Sequence, residues 1–210
     1  MSAGRDDRVL LVIDVQNDFC PGGSLAVEEG DAVVPVINRT MPLFSRVVAT
    51  QDWHPEGHVS FASRHPGRKP LDMIDAAGVR QVLWPDHCVQ GTRGAELHPR
   101  LDARRIALVL RKGFRPGLDS YSAFLENDGT TDTGLRYWLK GLRVREVCLC
   151  GLATDYCVHA SALDARRLGF RVTLVRDACR GVDSPKGSLA EALAAMEKAG
   201  VRIAESSALR

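Results

Sequence analysis

Apolar residues in this chain gather in short, nearly continuous runs separated by longer stretches of mixed polarity. Val9-Leu10-Leu11-Val12-Ile13 and Ile106-Ala107-Leu108-Val109-Leu110 read as strands buried on two faces, as parallel strands are when helices cover both sides of a sheet. The second of these runs belongs to a strand at 105–111, and further short strands are predicted at 46–50, 146–150, 171–175 and 201–204. Helices are predicted between them. They cover 32–44, with Asp31 as N-cap and Pro35 in the first turn, then 134–140, 154–168 stopping at Gly169, and 185–199 ending at Gly200. Strict alternation of this kind predicts an α/β fold: a three-layer, doubly wound, mostly parallel sheet of about six strands with helices on both faces. In open sheets of that type the ligand crevice lies beyond the carboxyl ends of the strands.

Bulk properties narrow the picture without choosing a function. With 210 residues, 45% hydrophobic, and a formal net charge of +2, one substantial core is expected, in a single domain over 1–210. That charge balance gives no reason to expect nucleic acid. No apolar stretch approaches the length of a bilayer span, and residues 1–7 lead into the first strand without a signal-peptide core, so a cytoplasmic protein and no membrane partner are expected. Its six cysteines, Cys20, Cys88, Cys148, Cys150, Cys157 and Cys179, contain no Cys-x-x-Cys pair, which favours reduced thiols. Cys148 and Cys150, two apart in a strand, share a face as small core residues. Residues 52–100 are rich in Pro, Gly and His with little periodicity, and so long a connection suggests a functional excursion over the crevice.

Three charged or nucleophilic residues sit where that crevice should be. In Cys150-Gly151-Leu152-Ala153-Thr154-Asp155-Tyr156-Cys157 a strand breaks at glycine and a helix begins three residues before a thiol. A helix N-terminus stabilises a thiolate, and its free N–H groups can receive an oxyanion. Asp14 closes the first strand, and Lys112 follows the run 106–110. Alone, each has a plain structural reading as packed cysteine, turn residue or solvated strand end. Together they supply a nucleophile, a proton acceptor and a cation.

The excursion carries a second constellation, Asp52-Trp53-His54 with His87 further on. Residues two apart in an extended segment face the same way, so one carboxylate and one imidazole can share a cation. With a second histidine as third ligand they would leave an open coordination position, as catalytic metal sites do. The competing reading is an exposed turn around Pro55 and Gly57. His58, His65 and His98 are further candidates that spacing does not sort.

The segments 14–25 (DVQNDFCPGGSL), 51–55 (QDWHP), 84–88 (WPDHC) and 151–158 (GLATDYCV) resemble nicotinamidases of the isochorismatase-like hydrolase superfamily. The similarity runs from about residue 9 to 205, in matching order and spacing. It implies Cys157 as nucleophile, Asp14 as proton shuttle and Lys112 as the group that orders and charge-balances them. It implies Asp52, His54 and His87 as ligands of one divalent metal, zinc before iron or manganese, with His58 as a further candidate ligand and Ser60 supporting a ligand or water. A cis peptide is expected between Leu152 and Ala153, with the N–H groups of Ala153 and Cys157 forming an oxyanion hole. Phe19, Leu25, Trp84, Tyr121, Leu152, Ala153 and Tyr156 match pocket positions suited to a flat heteroaromatic ring. The implied reaction is hydrolysis of nicotinamide to nicotinate and ammonia in NAD salvage, with pyrazinamide as a plausible second substrate. An amidase of carbamoyl or ureido compounds, or a non-catalytic metal- or ligand-binding protein on the same scaffold, are the rival readings. Neither charge nor pattern decides between a monomer and a homo-oligomer.

Overall fold

Six strands form one parallel sheet in a computed structural model that describes residues 7–209. In chain order these are β1 (Arg8–Ile13), β2 (Val47–Asp52), β5 (Leu108–Lys112), β6 (Glu146–Leu152), β7 (Arg171–Arg180) and β8 (Arg202–Ala204), arranged β5-β2-β1-β6-β7-β8. The connecting helices are α1 (Val33–Thr40), α2 (Leu135–Gly141), α3 (His159–Arg167) and α4 (Ser188–Lys198). From β1 the chain crosses over to β2 on one side, and from β6 to β7 on the other. Right-handed crossovers therefore put α1 on one face and α3 and α4 on the opposite one. The strand order reverses between β1 and β6, which makes their carboxyl ends the switch point of the sheet.

Burial explains the sequence pattern. β1 and β6 are the two central strands, and Val9 to Ile13 and Val147 to Leu152 are buried throughout. They pair in register, Val12 with Cys150 and Ile13 with Gly151. Only glycine fits at 151: its φ is +112°, and a Cβ there would lie 2.1 Å from the Ile13 carbonyl oxygen. The close approach lets the chain leave β6 beside the end of β1.

Several elements differ from the expectation. β5 is an edge strand whose exposure alternates, with Val109 facing out, so its apolar run is not buried on two faces. Residues 103–105 form a short 3₁₀ turn ahead of it. Asp31 does not cap α1: it lies inside a 3₁₀ turn, and its carboxylate pairs with Arg100 Nη2 at 2.6 Å. That helix also ends earlier, at Thr40, and tightens into a 3₁₀ turn containing Pro42, which has no N–H to continue the α pattern. β7 runs on to Arg180, five residues beyond the apolar stretch. The excursion is not devoid of regular structure, because β3 (Met73–Ala76) and β4 (Val79–Val82) form an antiparallel hairpin. Ala77 and Gly78 both have positive φ there, as a two-residue hairpin turn requires. No helix among the described residues is long and apolar enough to cross a membrane. Residues 1–6, named above as the approach to the first strand, lie outside the described residues.

Candidate active site

Four consecutive strands of the sheet each deliver one residue to the same point. β5 ends in Lys112, its neighbour β2 in Asp52, β1 is followed by Asp14, and β6 leads through Ala153 into the turn carrying Cys157. Asp14 is left-handed (φ 48°), which aspartate tolerates better than most residues. Its N–H donates to Thr50 Oγ1 (3.1 Å), and the Thr50 hydroxyl donates to Asp14 Oδ1 (2.5 Å). Lys112 Nζ lies 2.9 Å from Asp14 Oδ2 and donates to Asp52 Oδ1 (2.5 Å), the Ser120 carbonyl (2.9 Å) and Cys157 Sγ (3.4 Å). The lysine is fully enclosed.

Cys157 sits in a π-type turn over Thr154–Val158, closed by the Val158 N–H donating to the Ala153 carbonyl at 3.1 Å. α3 follows it. Such wide turns recur where a helix start is adapted to a site. The Leu152–Ala153 peptide is cis.

Electrostatics set the resting protonation. Burial pushes the Cys157 thiol well above its ordinary range; Lys112 opposes this, while Asp14 and Asp52 add to it. Burial thus favours the neutral thiol despite the helix N-terminus and the Lys112 ammonium 3.4 Å away. Asp14 is itself raised to about 6, by burial first, against the pull of Lys112. Lys112 is driven well above its ordinary value: burial works against the charge, but Asp14 and Asp52 outweigh it. At neutral pH the set is thus a thiol, an adjacent carboxylate and a fixed ammonium.

Beside it, ligand atoms of Asp52, His54 and His87 lie within 4.8 Å of one another, all three residues buried. His54 Nε2 and His87 Nε2 stand 3.7 and 3.9 Å from Asp52 Oδ2. The far side of each ring explains the fit. His54 Nδ1 is 2.8 Å from the Gly113 carbonyl and His87 Nδ1 is 2.8 Å from the Pro85 carbonyl. A carbonyl only accepts, so both Nδ1 atoms carry hydrogen and both Nε2 lone pairs face the carboxylate, as in metal-ligating histidines. A Cβ at Gly113 would stand 2.5 Å from His54 Cε1, so glycine leaves room for that ring. Asp52 is held as carboxylate: burial acts against the charge, and Lys112 and the two histidines outweigh it. His87 is pushed down to about 4 by burial and by His54. The donor set suits a divalent cation.

His58 is placed differently. It stacks on His54 (ring centroids 4.3 Å apart), its Nδ1 is 2.7 Å from Ser60 Oγ and its Nε2 is 3.4 Å from the Leu118 carbonyl. Its ligand atom groups with those of His54 and Asp119, not with the Asp52, His54 and His87 set. His65 donates to the Val59 carbonyl, and His98 lines a separate cavity with Asn17, Asp18 and Arg93.

A cavity of about 460 Å³, including its mouth, opens over both groups. Phe19, Leu25, Trp84, Tyr121, Ala153 and Tyr156 line it together with Asp52, His54, His87 and Cys157. Trp84 Nε1 donates to Tyr121 Oη at 3.0 Å, and the Tyr156 ring stands edge-on to Trp84. Leu152, expected in the pocket, is instead buried in the core.

The Isochorismatase domain family matches residues 8–208. The chain belongs to this family. Among its relatives, a nicotinamidase of Acinetobacter baylyi is 49% identical over 193 residues, covering 92% of this chain and 90% of the relative. The solved structure of an Acinetobacter baumanii nicotinamidase/pyrazinamidase superimposes with a TM-score of 0.95 at 47% identity, covering 98% of this chain and 99% of that one. A Pyrococcus horikoshii pyrazinamidase, solved in complex with zinc, gives 0.78 at 38% identity over 95% and 99% of the two chains.

Within this isochorismatase-family site, some residues escaped sequence reasoning. Val27, Asp119 and Val182 also line the cavity. Asp119 is buried, accepts from the Gln81 amide at 2.8 Å, and groups with His54 and His58. Gln16 ties Asp52 down on both sides, donating to its carbonyl and accepting from its N–H, each at 2.8 Å. Polar residues inside otherwise apolar or tightly turned segments, Thr50 and Gln16 above all, were the available signal.

Proposed function

We propose that the protein hydrolyses the carboxamide of nicotinamide to nicotinate and ammonia through a thioester on Cys157. The observation that carries this reading is the position of Lys112, whose buried ammonium touches Asp14 at 2.9 Å and Cys157 Sγ at 3.4 Å, behind a pocket lined by Cys157, Asp52, His54 and His87. Identity near half with curated nicotinamidases supports the substrate.

An unactivated amide is a poor electrophile with a poor leaving group, so it needs both a strong nucleophile and an acid for the nitrogen. Asp14 takes the thiol proton as Sγ bonds to the carbonyl carbon. The oxygen gains charge, and the N–H groups of Ala153 and Cys157 receive it. Asp14 then returns the proton to nitrogen, the C–N bond breaks and ammonia leaves. Water, deprotonated by Asp14, attacks the thioester; nicotinate departs and the thiol is restored. Lys112 keeps Asp14 in place and stays charged throughout. Phe19, Trp84, Tyr121 and Tyr156 hold the flat ring so that the carboxamide meets Sγ, an advantage of proximity rather than reactivity.

Asp52, His54 and His87 would hold one divalent ion, zinc by the mixed carboxylate and imidazole donors, although iron and manganese accept the same set. Such an ion supplies Lewis acidity that can bind the pyridine nitrogen and make a water more acidic. His58 is assigned as a stacking neighbour of His54, positioned by Ser60. Pyrazinamide, with a similar flat ring, is a second substrate. Six unpaired, buried cysteines fit a reducing compartment, and the reaction is placed in the cytoplasm, returning nicotinamide toward NAD.

The test is ammonia release from nicotinamide by purified, reduced protein, repeated after chelation and after metal readdition. Release that falls on stripping and recovers on readdition is the expected result. No release by fully metallated protein would overturn the reading.

A further inference from the structure

The turn that carries Cys157 is tied by side chains to a second segment that forms the opposite lip of the pocket. Asp155, buried two residues before the nucleophile, accepts from the Val182 N–H (3.0 Å), the Asp183 N–H (2.9 Å) and the Ser188 hydroxyl (2.6 Å). Tyr156 adds a fourth tie, its hydroxyl donating to the Ser184 carbonyl. Residues 181–188 therefore form a strap between the end of β7 and the start of α4, fastened to the nucleophile turn along its length. The approach is tight: a Cβ on Gly181 would lie 3.2 Å from Asp155 Oδ1 and 2.7 Å from Leu189 Cδ1. Val182 on the strap and Trp84 across the cavity both line the pocket, and the Tyr156 ring stands edge-on to Trp84 at 4.9 Å.

The geometry points to Asp155 and Tyr156 as a positioning pair that fixes the strap against the nucleophile turn and so sets the width of the pocket beside Cys157. This rests on the reading of Cys157 as the nucleophile. The pair admits a flat, unsubstituted pyridine or pyrazine carboxamide and rejects rings carrying an extra substituent on the strap side. Asp155 touches no reacting atom. A carboxylate with three donors, none of them a cation, is suited to locking two backbone segments at fixed spacing.

The test uses the full-length, metal-loaded protein and two variants outside the reacting atoms, Tyr156→Phe, which removes only the hydroxyl tie, and Ser188→Ala, which removes one partner of Asp155 from the far side. Alkylation of Cys157 by iodoacetamide and by a bulky fluorescein maleimide is followed by peptide mass spectrometry. Losing one such tie is expected to raise the bulky-to-small rate ratio at Cys157 about fivefold, with the other five cysteines unchanged. In parallel, kcat/KM for 5-methylnicotinamide relative to nicotinamide should rise, through KM. Asp155→Asn, which keeps one acceptor oxygen, should shift both readouts less than Asp155→Ala. An unchanged ratio in both variants, or an equal rise at every cysteine, overturns the proposal. Should the wild type release no ammonia from nicotinamide, the functional reading fails while the alkylation ratio still decides the strap.

Discussion

Lys112 Nζ lies 2.9 Å from Asp14 Oδ2, and both side chains are completely shielded from solvent. The pair is part of a buried cluster of one ammonium and two carboxylates, since Asp52 is also in contact. Removing the cation leaves two negative groups in a low-dielectric interior. Lys112→Met is expected to cost about 3–5 kcal/mol of unfolding free energy, the range for breaking a buried pair from one side. Urea denaturation measures it, and adding Asp14→Asn should recover part of the loss. A Lys112→Met protein as stable as wild type would show that the cluster does not hold charge.

Asp14 gives a pH dependence whose sign is fixed. Its carboxyl is raised to about 6 by burial, and it must be ionised to take the thiol proton. Activity should therefore fall as pH drops through about 6, with kcat/KM losing about tenfold per pH unit below it. Asp14→Asn should lower kcat by about 10²–10⁴ and abolish that limb. A wild-type profile flat from pH 5 to 8 would remove Asp14 from the proton transfer.

In the proposed mechanism, Cys157→Ala removes the nucleophile. Ammonia release should drop at least about a thousandfold. In wild type, mass spectrometry of an acid-quenched reaction should find an acyl adduct on Cys157. Substantial turnover by the alanine variant would replace the covalent route with direct attack by water.

Metal content separates the histidines. His87→Ala removes an inward-facing lone pair and should abolish stoichiometric metal. His58→Ala, which removes a stacking partner of His54 and the contacts to Ser60 and Leu118, should weaken retention far less. Gly113→Ala forces His54 aside, because the new Cβ would stand 2.5 Å from its ring, and an effect of about 10–100-fold on metal affinity is expected. Metal analysis after dialysis against graded chelator measures all three. An imidazole must be neutral to hold a metal, and the nearby Asp52 carboxylate raises His54 against burial, so metal bound at this site should be lost as pH falls.

The central strands were legible because β1 and β6 are buried on both faces and carry, between Val9 and Ile13 and between Val147 and Leu152, only aliphatic residues, two cysteines and a glycine. Asp14, Lys112 and Cys157 stood out for the same reason, as charged or nucleophilic residues ending such runs. β5 misled because Leu108 and Leu110 face inward while Val109, on the solvent side, is also apolar. Periodicity cannot separate an apolar edge from a buried centre. The hairpin at 73–82 escaped because Ala77 carries a positive φ, an unusual choice for that turn. Asp119 and Val182 were out of reach, since only the path of long connections brings them to the cavity.

Asp52 presents Oδ1 to Lys112 and Oδ2 to His54 and His87. One side chain thus belongs to two centres, and neither can be redesigned alone. A variant lacking both histidines would still need an acid at position 52 to neutralise Lys112.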